Sequence, residues 1–212
     1  MPQGHFITLE GGEGAGKTTQ AGMLAEALTG FGIPVLRTRE PGGAAGAERL
    51  RELLLGEEFD WSAPAETLLH FAARAEHVEK TIRPALAAGL WVVCDRFYDS
   101  TVAYQGYGQG ADRAVIASLV AMLAIVPDVT LVLDVSDTVA VARQIARGTD
   151  ADRYERLDAL FHARVRQGFR DIAAAAPGRC VLLSADGDAA EVHAEIMRAL
   201  HARLALPGIA MP

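Results

Sequence analysis

Near its amino end the chain reads Phe6-Ile7-Thr8-Leu9-Glu10-Gly11-Gly12-Glu13-Gly14-Ala15-Gly16-Lys17-Thr18-Thr19. A short apolar run, of strand length, passes directly into a glycine-rich stretch that fits G-x-x-x-x-G-K-[ST] over residues 11–18 without a mismatch. Glycines let backbone N–H groups curl around phosphate oxygens, and the helix that follows adds its positive end. In such a loop Lys17 reaches the β- and γ-phosphates and the Thr18 hydroxyl ligates Mg²⁺. Gly11, Gly12, Glu13, Gly14, Ala15, Gly16, Lys17, Thr18 and Thr19 are therefore expected to cradle a nucleoside triphosphate.

The rest of the chain supplies a matching scaffold. Further strand-length apolar runs occur at Pro34-Val35-Leu36-Arg37, Trp91 to Cys94, Val129 to Leu133 and Cys180 to Leu183. Their near-continuous hydrophobicity indicates strands covered on both faces, hence a parallel sheet. Helix-period segments alternate with them: Thr18 to Phe31, Pro64 to Ala88 with a break at Pro84, Asp112 to Val126, Thr138 to Arg147, Glu155 to Ala175 and Ala189 to Leu204. The pattern predicts one α/β domain over 1–212: a doubly wound parallel five-stranded sheet with helices on both faces, of the P-loop NTPase type. Ligands are then expected at the carboxyl ends of the strands.

Bulk properties narrow the function. Of the 212 residues half are hydrophobic, and the net charge of -7 argues against a general binder of nucleic-acid polymers or membrane surfaces. Cys94 and Cys180 each lie in an apolar run, as small core residues do. No charged-then-apolar leader precedes the first strand and no run approaches the ~20 residues that span a bilayer, so a cytoplasmic location is expected.

Switch GTPases, ATPase motors and small-molecule kinases all use such a phosphate loop. The chain contains no asparagine, so a guanine-reading N-K-x-D motif is impossible, and Asp134 at the end of its strand has no second acid beside it. A kinase for a phosphorylated acceptor must bring two polyanions together, which calls for arginines at strand ends and on cleft-facing helices. Arg39 follows the second strand in Thr38-Arg39-Glu40-Pro41-Gly42-Gly43, Arg74 ends Leu68-Leu69-His70-Phe71-Ala72-Ala73-Arg74, and Arg96 directly follows the third strand and Asp95. A single arginine is usually a solvated surface residue; three in these places point to an acceptor phosphate.

Asp95-Arg96-Phe97-Tyr98-Asp99-Ser100-Thr101-Val102-Ala103-Tyr104-Gln105, with T-R-E-P-G-G, L-L-x-F-A-A-R and E-G-x-E-G-A-G-K-T-T in the same order, resembles the thymidylate kinase family, P-loop nucleoside-monophosphate kinases. The similarity runs from about residue 5 to 200. It implies transfer of the ATP γ-phosphoryl group to dTMP with Mg²⁺. Arg39, Arg74 and Arg96 would hold the dTMP phosphate, with Asp95 orienting Arg96 or sharing the Mg²⁺ shell with Thr18. Glu13 would sit near the sugar 3′-hydroxyl or the metal's water shell. Tyr104 would pack on the deoxyribose, and Ser100 and Gln105 would reach thymine. The family's base-stacking aromatic falls at His70, with Phe71 one place later, and Gln109 stands where many relatives carry arginine. The resemblance also implies a homodimer, with the helix from Pro64 onward and the Asp112 to Val126 helix as interface elements. Another nucleoside or nucleotide kinase, or a nucleotide-dependent switch, are the alternatives.

Residues 143–155 form the expected lid, broken at Gly148 and resuming near Tyr154. Relatives without an arginine in the phosphate loop, where Gly14 stands here, present lid arginines to the transferring phosphoryl. Arg153 is the first such residue and Arg147 the second, with Arg143 packing on adenine.

Overall fold

The computed structural model describes residues 4–56, 58–148, 153 and 154, and 156–204. Strands β1 (Phe6–Gly11), β2 (Val35–Arg39), β3 (Trp91–Asp95), β4 (Val129–Asp134) and β5 (Cys180–Ser184) form one sheet in the order β2-β3-β1-β4-β5. Every pairing is parallel. All six residues of β1 are buried, which is why that run is apolar throughout and why its polar end, Glu10, needs partners.

The helices between the strands are α1 (Lys17–Gly30), α2 (Ala45–Leu55), α3 (Ala63–His77), α4 (Arg83–Ala87), α5 (Tyr98–Thr101), α6 (Arg113–Leu123), α7 (Asp137–Arg147), α8 (Ala159–Ala175) and α9 (Ala189–Arg203). One apolar cluster joins Leu24 and Leu28 of α1 and Val192, Ile196 and Leu200 of α9 to the sheet. Others join Phe71 of α3, Ile116 of α6 and Phe161, Val165 and Phe169 of α8 to it. Helices therefore cover both faces, as the alternating pattern predicts.

Three features depart from the expected elements. Helix α2 is unforeseen; the glycines before it suggest only a loop. The long helix from residue 64 passes through a π-helical stretch, Val78–Ile82, just before Pro84, which occupies the first turn of α4 and lacks the N–H a continuous helix would need. Helix α8 starts at Ala159 rather than at 155, where the Asp158 carboxylate accepts from Phe161 N at 2.7 Å and caps it. Cys94 and Cys180 are buried and free.

Register decides what meets at the carboxyl edge. Leu9 pairs with Asp95, and Arg39 pairs with Asp95 from the other side. The phosphate loop, the Asp95-Arg96 turn and Arg39 thus leave the sheet on one level. β1 has β3 on one side and β4 on the other, so the chain's direction of winding switches beside the loop, where a crevice opens. Gly11 makes this possible: at φ 139° its Cα lies so near β4 that a Cβ would stand 2.4 Å from the Leu133 carbonyl oxygen.

Candidate active site

Two cavities lie along that edge. A cleft of about 830 Å³, within the size range of nucleotide sites, runs along the loop from Glu13 to Thr19 and is closed by Arg143 of α7 and by Asp188, Ala189 and Val192 at the start of α9. The Lys17 ammonium lies in the loop and donates to Gly12 O at 2.7 Å. Burial, and then the nearby Arg96 charge, push its pKa down to about 8. Thr18 Oγ1 donates to Asp95 Oδ2 at 2.5 Å. Arg143 Nη1 reaches Gly14 O at 3.3 Å and Nη2 reaches Gly187 O at 2.6 Å, so this guanidinium bridges the loop to the segment before α9. Of the loop glycines, Gly16 is open to the cleft, with nothing within 4 Å of where a Cβ would be.

The second pocket is lined by Glu13, Glu40, Pro41, Arg51, Leu55, His70, Arg74, Arg96, Ser100, Thr101, Tyr104, Gln105 and Tyr154. Arg96 takes a left-handed backbone, φ 70°, at a cost of ~1–2 kcal/mol for a residue with a Cβ. Its N–H donates to Leu9 O at 2.9 Å. Its guanidinium donates to Glu13 Oε1 at 2.6 Å and Gly11 O at 3.2 Å, and lies 5.0 Å above the Tyr104 ring. Tyr104 OH donates to the same Glu13 oxygen at 2.6 Å. Burial would raise the Glu13 pKa, but Arg96, then Lys17 and the Tyr104 hydroxyl, outweigh it and hold the carboxyl at about 2. Asp95 therefore faces Thr18, and Glu13 is the carboxylate that orients Arg96.

Arg74 is held on three sides: Nε donates to Glu40 Oε2 at 2.6 Å, Nη1 to Thr101 Oγ1 at 3.1 Å and Nη2 to Phe97 O at 3.1 Å. Glu40 also accepts from His77 Nδ1 at 2.9 Å. Ser100 Oγ and Phe97 N both donate to Glu10, at 2.6 and 2.7 Å, which ties the turn after β3 to the end of β1. Burial first, and then Asp99, raise the Glu10 pKa to about 8.

Several expected site residues take other places. Phe71 packs in the core with its ring 4.9 Å from the Arg74 guanidinium carbon, because consecutive helix residues point about 100° apart. His70 is the one that lines the pocket, with burial and then Arg74, Arg96 and Arg153 pushing its pKa down to about 3. The Arg39 side chain is 54% exposed, pairs with Glu48 at 3.1 Å and lines the outer cleft rather than the inner pocket. Arg153 stands 2.7 Å from Glu66 Oε2 as an ion pair without hydrogen-bond alignment, and 3.7 Å from Asp60, so it faces α3 and not the phosphate loop. The Arg147 side chain and lid residues 149–152 and 155 lie outside the described residues.

Residues that sequence reasoning missed are Glu10, Glu40, Arg51, Glu66 and Tyr154. Arg51 lines both cavities. The helical spacing of Ala47, Leu50, Arg51 and Leu54 was available to locate it. The carboxylates carry no such periodic signal, since only packing shows what they neutralise.

A triphosphate-sized cleft on a glycine-rich loop, joined to an arginine-lined pocket, defines a P-loop kinase acting on a phosphorylated acceptor. A sequence model described as thymidylate kinase matches residues 9–196. The chain is 52% identical to a thymidylate kinase of Rhizorhabdus wittichii, over 94% of this chain and 98% of that one, and 50% identical to one of Gluconobacter oxydans, over 98% and 99%. The crystal structure of thymidylate kinase from Ehrlichia chaffeensis superposes with a TM-score of 0.78 at 39% identity, covering 94% of this chain and 99% of that one. The chain belongs to the thymidylate kinase family.

Glu10 has a pH signature. A folded-state pKa of about 8, above the usual carboxyl value, means that the fold favours the protonated form. Its contribution to stability is complete below about pH 4.5 and is lost as pH rises toward 8. Glu10→Gln mimics the neutral form, so the melting temperature of the parent should fall relative to the variant across that window. Parallel melting curves against pH would show that the carboxyl is not held neutral.

Proposed function

We propose how this chain carries out the reaction of its family, transfer of the ATP γ-phosphoryl group to dTMP to give dTDP and ADP. One observation carries the assignment of roles: Glu13, Glu40, Arg51 and Arg96 line both cavities, so the donor cleft and the acceptor pocket meet at these residues. A phosphate on each side of that junction stands where in-line transfer requires it. The dTMP phosphate is largely dianionic near neutral pH, so no side chain has to remove a proton. What the chain supplies is cationic charge and orientation.

Lys17 and the loop N–H groups bind the ATP phosphates, and Arg143 borders the space for adenine. Arg96 and Arg51 offset the repulsion between the two polyanions, and Arg39 adds charge at the outer rim. Arg74 holds the acceptor from the α3 side. Tyr104 abuts the deoxyribose, and Ser100, Gln105 and His70 line the base end. Thr18 and Asp95 fit Mg²⁺, since a hydroxyl and a carboxylate oxygen 2.5 Å apart are hard donors at the loop. Bound there, the cation would neutralise charge developing on the β- and γ-phosphates. No cluster of three or more metal-ligating side chains exists among the described residues, which suits a cation carried largely by phosphates and water.

The reaction is tested by following ADP formation from ATP and each deoxynucleoside monophosphate. Release should require dTMP; faster turnover of another acceptor would overturn the assignment.

The place of Arg153 beside Glu66 gives a second expectation. Arg153→Ala should raise the KM for dTMP about tenfold and change kcat less, because the interaction lies at the acceptor's base end. A collapse of kcat at unchanged KM would return this arginine to the transferring phosphoryl group.

The proposed assembly is a homodimer through α3 and α6, which expose Leu68, Val115 and Met122. Sedimentation should give twice the 22.5 kDa chain mass, and Met122→Glu should reduce it to one; a monomeric parent protein would refute this interface. The proposed location is the cytoplasm. Two buried free thiols suit a reducing compartment, and no helix among the described residues is long and apolar enough to cross a membrane.

A further inference from the structure

Glu66 is fully buried on α3, one helical turn before His70. Its Oε1 accepts from Gln109 Nε2 at 2.7 Å, Gln105 Nε2 at 2.8 Å and Tyr154 OH at 2.9 Å. The Arg153 guanidinium, which can only donate, stands 2.7 Å from Oε2. Oε1 therefore accepts all three hydrogen bonds, while Oε2 faces a cation in an ion pair without hydrogen-bond alignment. Since the Tyr154 hydrogen goes to Glu66, the Tyr154 oxygen accepts in turn, from Gln105 Nε2 at 3.3 Å and from His70 Nε2 at 2.8 Å. The hydrogen bonds run in one direction, and every one ends on Glu66.

This direction fixes the Gln105 amide. Both of its N–H bonds are committed, one to Glu66 and one to Tyr154, and Gln105 is itself 1% exposed. Turning the amide over would set its carbonyl oxygen against a carboxylate oxygen and a phenolic oxygen where no water can intervene. Buried lone pairs opposed in this way are costly. What remains of the side chain for the pocket it lines is the carbonyl oxygen, an acceptor.

We propose that Glu66 is a positioning residue for base choice: by taking the Gln105 nitrogen it offers the base an acceptor, which selects a pyrimidine whose ring carries an imide N–H over one whose ring nitrogen is bare. Thymine and uracil carry that hydrogen at N3, whereas cytosine presents a lone pair there. The inference rests on the proposed function, in which Gln105 borders the base. It assigns rejection of the amino pyrimidine to a carboxylate that lines neither cavity.

The test compares kcat/KM for dTMP, dUMP and dCMP in the full-length protein and in Glu66→Gln, with ATP as donor. A neutral amide at 66 can donate or accept, so Gln105 can turn over. The dTMP-to-dCMP ratio should fall on the order of 10- to 100-fold while the dTMP-to-dUMP ratio holds within about threefold. Glu66→Asp, which keeps the acceptor, should retain the parent ratio. A loss of activity that is equal for all three acceptors would overturn the proposal and leave Glu66 a structural role alone. If Glu66→Gln does not fold, the parent protein still decides. Competition by N3-methyl-dTMP as strong as by dTMP overturns the proposal, and competition at least about tenfold weaker supports it. A parent protein that prefers dCMP from the outset would instead overturn the thymidylate assignment itself.

Discussion

The guanidinium of Arg96 depends on one carboxylate. Glu13 takes it at 2.6 Å, Tyr104 lies beneath it, and Gly11 O receives its second nitrogen. The pair is half-buried, so removing one partner leaves the other charge poorly solvated beside the loop. Glu13 belongs to the phosphate loop and Arg96 to the turn after β3, so this contact, with the Thr18–Asp95 hydrogen bond, ties the loop to that turn. The left-handed backbone at Arg96 follows from the same geometry: the chain must turn back over the sheet edge to reach Glu13.

The same arrangement recurs around the cleft. Three of its arginines are each held by a carboxylate from another element: Arg96 by Glu13, Arg74 by Glu40, Arg153 by Glu66. A phosphate entering the site meets guanidinium groups already oriented, so little side-chain freedom is lost on binding. The carboxylates also carry the long-range wiring. Glu40 couples β2 to α3, Glu10 couples β1 to the turn after β3, and Glu66 gathers α3, the π-helical stretch Val102–Gly108 and Tyr154. Ser100 of α5 and Tyr104 and Gln105 of that stretch all line the inner pocket.

Legibility followed periodicity and local chemistry. The loop over residues 11–18 specifies its own conformation through glycines, and the apolar strands announce their burial on both faces. The strand-end position of Arg96 and the helical position of Arg74 were equally visible. His70 and Phe71 could not be separated, since they differ by one residue on a helix whose rotation is set by packing. The expectation for Arg153 rests on resemblance to the lids of relatives, and Glu66, beside which it stands, is 87 residues away in sequence.

The sequence alone thus determined the fold class and the phosphate loop, because backbone freedom, strand hydrophobicity and helix period are local properties. Through residues that sit at strand ends, it also indicated the acceptor's chemistry. Only the tertiary structure decided which carboxylate orients which arginine, which face of α3 meets the pocket, and which way the Gln105 amide points. Those choices depend on burial: once water is excluded, each charge and each amide must take the one partner that packing brings within reach.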